Sequence, residues 1–263
     1  MRPSRYYACD CLRTLIGAGG WDYFRVGGDR LKAYAGAFEL VEVNSTFYGY
    51  PSEKAVSGWR ARVPDDFEFS VRCNRELTHG ERMRPSERSL ECLRRMTAVC
   101  RTLRSKVLVL QTPASFVPDE MTGKNVRDLL GSAGLGNLRL AWELRCGTAR
   151  VPHSLLGTMS DLGVVHCADL SREGPAYPSD ILYTRLFGKG FHNIHRFSDE
   201  ELEEVDGRGR GSGAMLAFFV MHGTRMYMDA ARLKLYRETG EFPRAPGVDG
   251  ASGDRRGMAR PCL

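Results

Sequence analysis

An α/β fold of the TIM-type (β/α)8 barrel class, as a single domain with a disordered C-terminal tail, is predicted by three features of this chain. Eight short apolar runs with strand character alternate with stretches whose apolar residues recur at helical spacing, the order that a parallel barrel needs. At 263 residues the chain is long enough for one large core. The stretch Phe38 to Tyr48, FELVEVNSTFY, sets Val41, Val43 and Ser45 on one parity and Glu42, Asn44 and Thr46 on the other. In a barrel whose helices lie outside, that second set points at the axis, where a carboxylate without a partner costs several kcal/mol. It is therefore expected to be the floor of a site. The expected boundaries are a lead-in over 1–13, the barrel over 14–240 and the tail over 241–263.

The elements follow in order. Thr14 to Gly20 is a first buried strand ending in glycines; it lacks the G-x-G-x-x-G spacing and immediate helix of a dinucleotide fold. Leu31, Tyr34, Ala35 and Phe38 form a helical stripe leading into the second strand, and Ser52 caps a helix carrying Val56, Trp59 and Val63. Phe67 to Asn74 is the third strand, followed by a loop, Glu76-Leu77-Thr78-His79, and a long helix with Leu90, Leu93, Met96, Cys100 and Leu103 buried. Lys106 to Pro113 is apolar almost throughout, as for a parallel strand covered on both faces. A helix at Val126, Leu129 and Leu130 precedes strand five, Leu138 to Arg145, and a helix at Leu155, Leu156, Met159 and Leu162 precedes strand six, Gly163 to Leu170. Strand seven is Ile181 to Gly188. Ser198 and Glu201 then have capping-box spacing, Gly207 to Gly213 reads as a glycine- and arginine-rich turn, Met215 to His222 is strand eight, and Asp229 to Glu238 closes the domain.

Composition narrows the function classes. The net charge of +6 favours acidic partners, but the basic residues are scattered, so a small anionic substrate is expected, while nucleic acid fits the charge without any supporting motif. Eight cysteines without a C-x-x-C pair, and Cys9 and Cys11 as ordinary thiols, suggest a reducing compartment; with no apolar run able to cross a bilayer, the expected location is cytoplasmic, with no membrane partner. The oligomeric state is not legible, and no cofactor motif is present.

In such a barrel, polar residues at the C-terminal ends of strands are site candidates. They are Glu42, Asn44, Thr46, Arg72, His79, Gln111, Glu143, Arg145, Asp169, Tyr183 and Arg185, with Lys189 in the Gly188-Lys189-Gly190 loop after strand seven. His222-Gly223-Thr224-Arg225 follows strand eight, and both loops lie where barrels often bind phosphate. Glu42, His79, Glu143 and Asp169 are the available hard metal ligands, but they lack H-x-H or H-E-x-x-H spacing and arginines crowd them, so no metal is expected.

The motifs IGAGGWDY at 16–23, FELVEVNSTFYGYP at 38–51, the Trp59 to Phe69 stretch, ELTH at 76–79, LQTPASF at 110–116, WELR at 142–145, YTRLFG at 183–188 and DAARL at 229–233 occur in an order that resembles the domain-of-unknown-function-72 family, often labelled YecE-like. The resemblance covers about residues 14 to 238. It implies a TIM-type barrel with no established activity, and it carries family positions over to Glu42, Asn44, Thr46, Thr78, His79, Gln111, Glu143, Arg145 and Arg185. Against the family pattern, Arg72 stands in place of lysine, Phe187-Gly188 in place of His-Gly, and Phe219-Val220-Met221 in place of Phe-Asn-Asn.

The residues point first to a metal-independent enzyme acting on a small phosphate- or carboxylate-bearing substrate by general acid/base chemistry. Arg145 and Arg185 would hold the anion, Glu42 or Glu143 would serve as base or acid if its neighbours shift its pKa, and His79 would exchange protons opposite. The substrate-binding set is completed by Asn44, Thr46, Arg72, Gln111, Asp169, Tyr183 and Lys189. Two other classes stay open: a metal-dependent nuclease or DNA-repair-like barrel, and a non-catalytic module that binds nucleic acid or an anion.

Overall fold

A computed structural model describes residues 12–146, 151–190 and 194–243. Cys9, Cys11 and most of the expected lead-in and tail lie outside the described residues. Eight parallel strands form one sheet: β1 (Arg13–Ala18), β2 (Leu40–Val43), β3 (Glu68–Arg72), β4 (Val107–Gln111), β5 (Arg139–Glu143), β6 (Val165–His166), β7 (Ile181–Leu186) and β8 (Leu216–Met221). Their order, β6-β5-β4-β3-β2-β1-β8-β7, brings the first and last strands together and leaves no ladder between β6 and β7. The helices are α1 (Arg30–Ala35), α2 (Glu53–Arg60), α3 (Glu87–Leu103), α4 (Glu120–Ser132), α5 (His153–Asp161), α6 (Asp199–Arg210) and α7 (Met226–Thr239). Among the described residues none is long and apolar enough to cross a membrane.

The β6–β7 seam is closed by side chains where backbone pairing runs out. One bridge pairs Ala168 with Thr184. The buried Thr184 hydroxyl donates to the Ala168 carbonyl at 2.7 Å and accepts from the Leu170 N–H at 3.2 Å, while Asp169 Oδ2 accepts from the Phe187 N–H at 3.1 Å. Replacing this hydroxyl by a methyl orphans both backbone groups. Thr184→Val is thus expected to cost about 1–3 kcal/mol, read as a lower urea midpoint at unchanged slope; an unshifted midpoint would show that the seam does not hold the barrel closed.

Two apolar cores divide by strand parity. The larger one, with Val41, Val43, Phe69, Leu108, Leu110, Trp142 and Phe219, lies between sheet and helices. The smaller one fills the barrel with Leu15, Leu40, Val107, Val109, Ala141, Val165, Cys167, Tyr183, Phe218 and Val220. Continuing the inward parity towards the C-terminal ends leads to Glu42, Arg72, Gln111, Glu143, Arg185 and His222. The axis is therefore apolar below and polar at the mouth. At the β1–β2 pair the Tyr34 hydroxyl takes the Ala18 N–H and donates to the Leu40 carbonyl, both at 2.8 Å; Gly17 makes room, since a Cβ there would run into that carbonyl.

Five local expectations are corrected. Strand two ends at Val43, because the chain turns at Asn44 into a single 3-10 turn, Ser45–Phe47, so Thr46 leaves the inward row. Glu76–Gly80 is a π-helical turn rather than an open loop. Strand six keeps only two paired residues, and no helix stands between β6 and β7. The Gly207-rich segment is helical to Arg210: the expected capping box at Ser198 and Glu201 forms, the first turn is acidic, and Gly209 lets α6 sit against Phe219 of β8. Finally, the described start of the tail is packed, with the Phe242 ring stacked on Tyr236 at 4.4 Å.

Candidate functional site

Arg185, at the inward end of β7, is buried to 2% exposure and organises the barrel mouth. Its Nη2 donates to Glu42 Oε1 at 3.0 Å, Nη1 to Gln111 Oε1 at 2.8 Å and to Glu143 Oε2, and Nε to His222 Nε2 at 3.2 Å. A guanidinium has five N–H groups, so at most one is left. Burial works against its charge, but Glu42 and Glu143 outweigh that and hold it charged more firmly than usual. Glu42 is fully buried, and its second oxygen accepts from the Tyr183 hydroxyl at 2.9 Å, which also lies 2.7 Å from Ser70 Oγ.

This geometry changes the roles expected from sequence. Arg185 cannot also hold a substrate anion, because Glu42, Glu143, Gln111 and His222 already occupy it. Glu143 is a poor proton donor: burial alone would raise its pKa, but Arg185 and Arg145 together hold it below the usual carboxylate range. Glu42, Gln111 and Tyr183 support the guanidinium from beneath. Thr46 caps the ends of two strands, its hydroxyl lying 2.6 Å from the Arg72 carbonyl and 2.8 Å from that of Val43. Asp169 spends Oδ1 on the Ser171 amide and hydroxyl and Oδ2 on the seam. Lys189 pairs with Glu204 of α6 at 3.8 Å, outside the barrel, and the flanking Gly188 and Gly190 carbonyls accept from Arg172. The loop that looked like a phosphate cradle is tied to the protein's own cations.

Arg72 and Arg145 stand differently. Arg145 Nε meets Glu143 Oε1 and its guanidinium lies 5.1 Å over the Phe187 ring, leaving its terminal nitrogens directed to no acceptor among the described residues. Arg72 has no ion pair among the described residues: it lies 3.7 Å over the Phe47 ring, reaches Asn44 Oδ1 only at 3.4 Å, and its buried Nε has no partner. Burial and Arg185 press its pKa down to about 10, so it is a cation held at a cost. Three arginines against two glutamates leave one positive charge in excess.

Two imidazoles face these cations. His79, on the π-turn, has Nδ1 2.9 Å from the Thr78 hydroxyl and its ring edge on Phe47; burial, then Arg72, Arg75 and Arg145, lower its pKa. From sequence His222 is only the first residue of the loop after strand eight, although the parity of MLAFFVMH, with Phe218 and Val220 inward, places its side chain on the axis. Burial, then Arg185, Arg72 and Arg145, push its pKa well below the usual value. Since Nε2 accepts from Arg185, the ring is neutral with its proton on Nδ1, and the 3.6 Å approach to Glu42 is no ion pair. The ring stacks on Phe187 at 4.6 Å and sits against Gly19, where any Cβ would overlap it.

A histidine that resists protonation when folded binds fewer protons than it does unfolded below its ordinary pKa of 6.5, so its contribution is complete above that pH and is lost as pH falls. Stability should drop as pH falls below about 6.5, and His222→Gln should flatten the drop in urea titrations. An equally steep loss in the variant would assign it to other groups.

Comparison with known proteins agrees with this fold. The family model described as "Protein of unknown function DUF72" matches residues 15–238. The UPF0759 protein YecE of Escherichia coli K12 is 32% identical over 110 residues, which is 40% of either chain. A crystal structure of a DUF72 family protein from Thermotoga maritima superposes with a TM-score of 0.66 at 19% identity, covering 86% of this chain and 99% of that one. Another from Enterococcus faecalis gives 0.67 at 15% identity, covering 86% and 97%. With a family match spanning nearly the whole barrel and the fold shared by these structures, the chain belongs to the DUF72 family.

Proposed function

We propose that the chain is an enzyme that binds a small carboxylate- or phosphate-bearing substrate at the barrel mouth and moves a proton on it without a metal ion. The observation that carries this reading is Arg72, a largely buried cation with no carboxylate partner among the described residues and an unpartnered Nε. A bound anion would supply the counter-charge that this guanidinium lacks, with the terminal nitrogens of Arg145 as further donors. His79 then serves as the proton-transfer group. Burial and its arginine neighbours hold its pKa down, and in the tautomer whose Nδ1–H donates to the Thr78 hydroxyl Nε2 is left as a base. His222 presents a neutral Nδ1–H, suited to stabilising negative charge that develops on a substrate oxygen.

The two glutamates hold Arg185 in place, so that their oxygens are committed to guanidinium and phenol. A divalent cation would have to displace a fully buried ion pair, and the described residues contain no group of three His, Cys, Asp or Glu arranged to hold one. That donor set favours proton transfer over metal-assisted cleavage. The test is a calorimetric screen of small carboxylates and phosphate monoesters at low salt, repeated on Arg72→Met and His79→Gln. Arg72→Met should weaken binding of the hits by roughly ten- to hundredfold, and His79→Gln should keep binding and lose turnover. Hits unaffected by Arg72→Met, or no hit in the panel, would sink the reading.

A further inference from the structure

Several cavities lie at the N-terminal end of the barrel, lined by residues that precede strands, such as Phe38 and Phe67 in one and Leu138 and Val164 in another. A large groove lies instead at the C-terminal end, between the β1–α1 and β8–α7 loops, next to a smaller cavity along the β1–α1 loop that Asp22 helps to line. It has a volume of about 810 Å³, within the range of small-molecule sites, and starts at Gly223, the residue after His222. Its walls are mostly apolar or aromatic. Tyr227 is fixed by an edge contact to Phe24 at 5.1 Å and by its hydroxyl on the Gly20 carbonyl at 3.2 Å, whereas Tyr23 and Met228 are exposed.

Charge in this groove is one-sided. Arg25 and Arg225 line it, and no aspartate or glutamate does. Arg225 is the N-cap residue of α7, where the positive end of a 14-residue helix disfavours a cation. Its Nε is buried without a hydrogen-bond partner, and its Nη2 reaches only the Met228 sulfur at 3.7 Å. The nearest acid in the helix, Asp229, is hydrogen-bonded to Arg232 at 2.9 Å and meets Arg225 only through space, without an ion pair. No ion pair compensates Arg225 among the described residues, which is an arrangement an anionic group would complete.

From this juxtaposition we propose that the groove is a binding site for an amphipathic anion, an aryl-alkyl or acyl carboxylate, whose apolar body lies against Tyr23, Tyr227 and Met228 and whose carboxylate meets Arg225. The site stands apart from the Arg72–Arg145 pair and does not depend on the function assigned to that pair. It gives the barrel mouth a second, more apolar recognition surface.

The test uses 4-phenylbutyrate, its neutral amide 4-phenylbutanamide, and acetate as probes, titrated into the full chain by calorimetry. The acid should bind at least tenfold more tightly than the amide, and acetate should show no saturable binding that Arg225→Met removes. Arg225→Met should bring the acid down to the level of the amide, Tyr23→Ala should weaken both, and Arg127→Met, which removes an exposed charge on α4 far from either site, should change neither. Circular dichroism and thermal midpoints identify any variant that has failed to fold, and the exposed Tyr23→Ala then keeps the test decisive. Equal affinity for acid and amide, or a loss in Arg145→Met with none in Arg225→Met, would overturn the groove site; the second result would leave the axial anion site standing.

Discussion

Arg185→Met is expected to lower the free energy of unfolding by about 3–5 kcal/mol at neutral pH. The wild-type guanidinium sits between two carboxylates, Glu42 and Glu143, at 3% side-chain exposure for Arg185 and 0% for Glu42. Methionine fills similar space but leaves both acids charged in a medium that solvates them poorly. Gln111 Oε1 and His222 Nε2 also lose their donor. The penalty should shrink as pH falls, because protonating a bare buried carboxylate relieves it. A triple variant, Arg185→Met with Glu42→Gln and Glu143→Gln, should recover most of the loss, since a buried ion network replaced as a whole is often neutral. Urea unfolding at two pH values reads both effects. A single variant as stable as wild type, or a triple variant no better than the single, would mean that the network does not brace the mouth.

Arg72→Met should have the opposite profile, with binding lost and stability kept. Each charge-assisted hydrogen bond to an anion contributes about 1.5–3 kcal/mol, so removing the guanidinium should weaken a small anion by roughly ten- to hundredfold. Yet the cation is unfavourably placed without ligand, its pKa pressed to about 10 by burial and Arg185, so the variant should unfold at or above the wild-type denaturant midpoint. Stability gained where binding is lost is the signature of a residue kept for function. Calorimetry and urea unfolding on the same preparation measure the two together. A destabilised variant that still binds would place Arg72 among the structural residues.

Arg72 and Arg185 carry the same charge at the C-terminal ends of β3 and β7, and only their neighbours distinguish them. The sequence places both on inward-facing strand ends, as it does Glu42, Gln111 and Glu143, because alternation along a strand is a local property. It could not say which arginine is neutralised. That depends on Glu42 of β2 and Glu143 of β5 meeting Arg185 of β7 across the axis, contacts between residues 143 and 42 positions apart. Thr46 was misplaced for a local reason, since the strand ends at Val43 and a tight turn breaks the alternation on which the expectation relied. His222 was legible only as the start of a loop, although the parity of its strand turns its ring inward.

The eight strands, their inward rows and the family were determined by the sequence itself, through apolar periodicity and short specific motifs. Tertiary structure alone decided which polar groups are used up and which remain available. Hydrogen bonding saturates: a guanidinium or carboxylate has a fixed number of directions, and only the folded barrel settles which neighbours fill them.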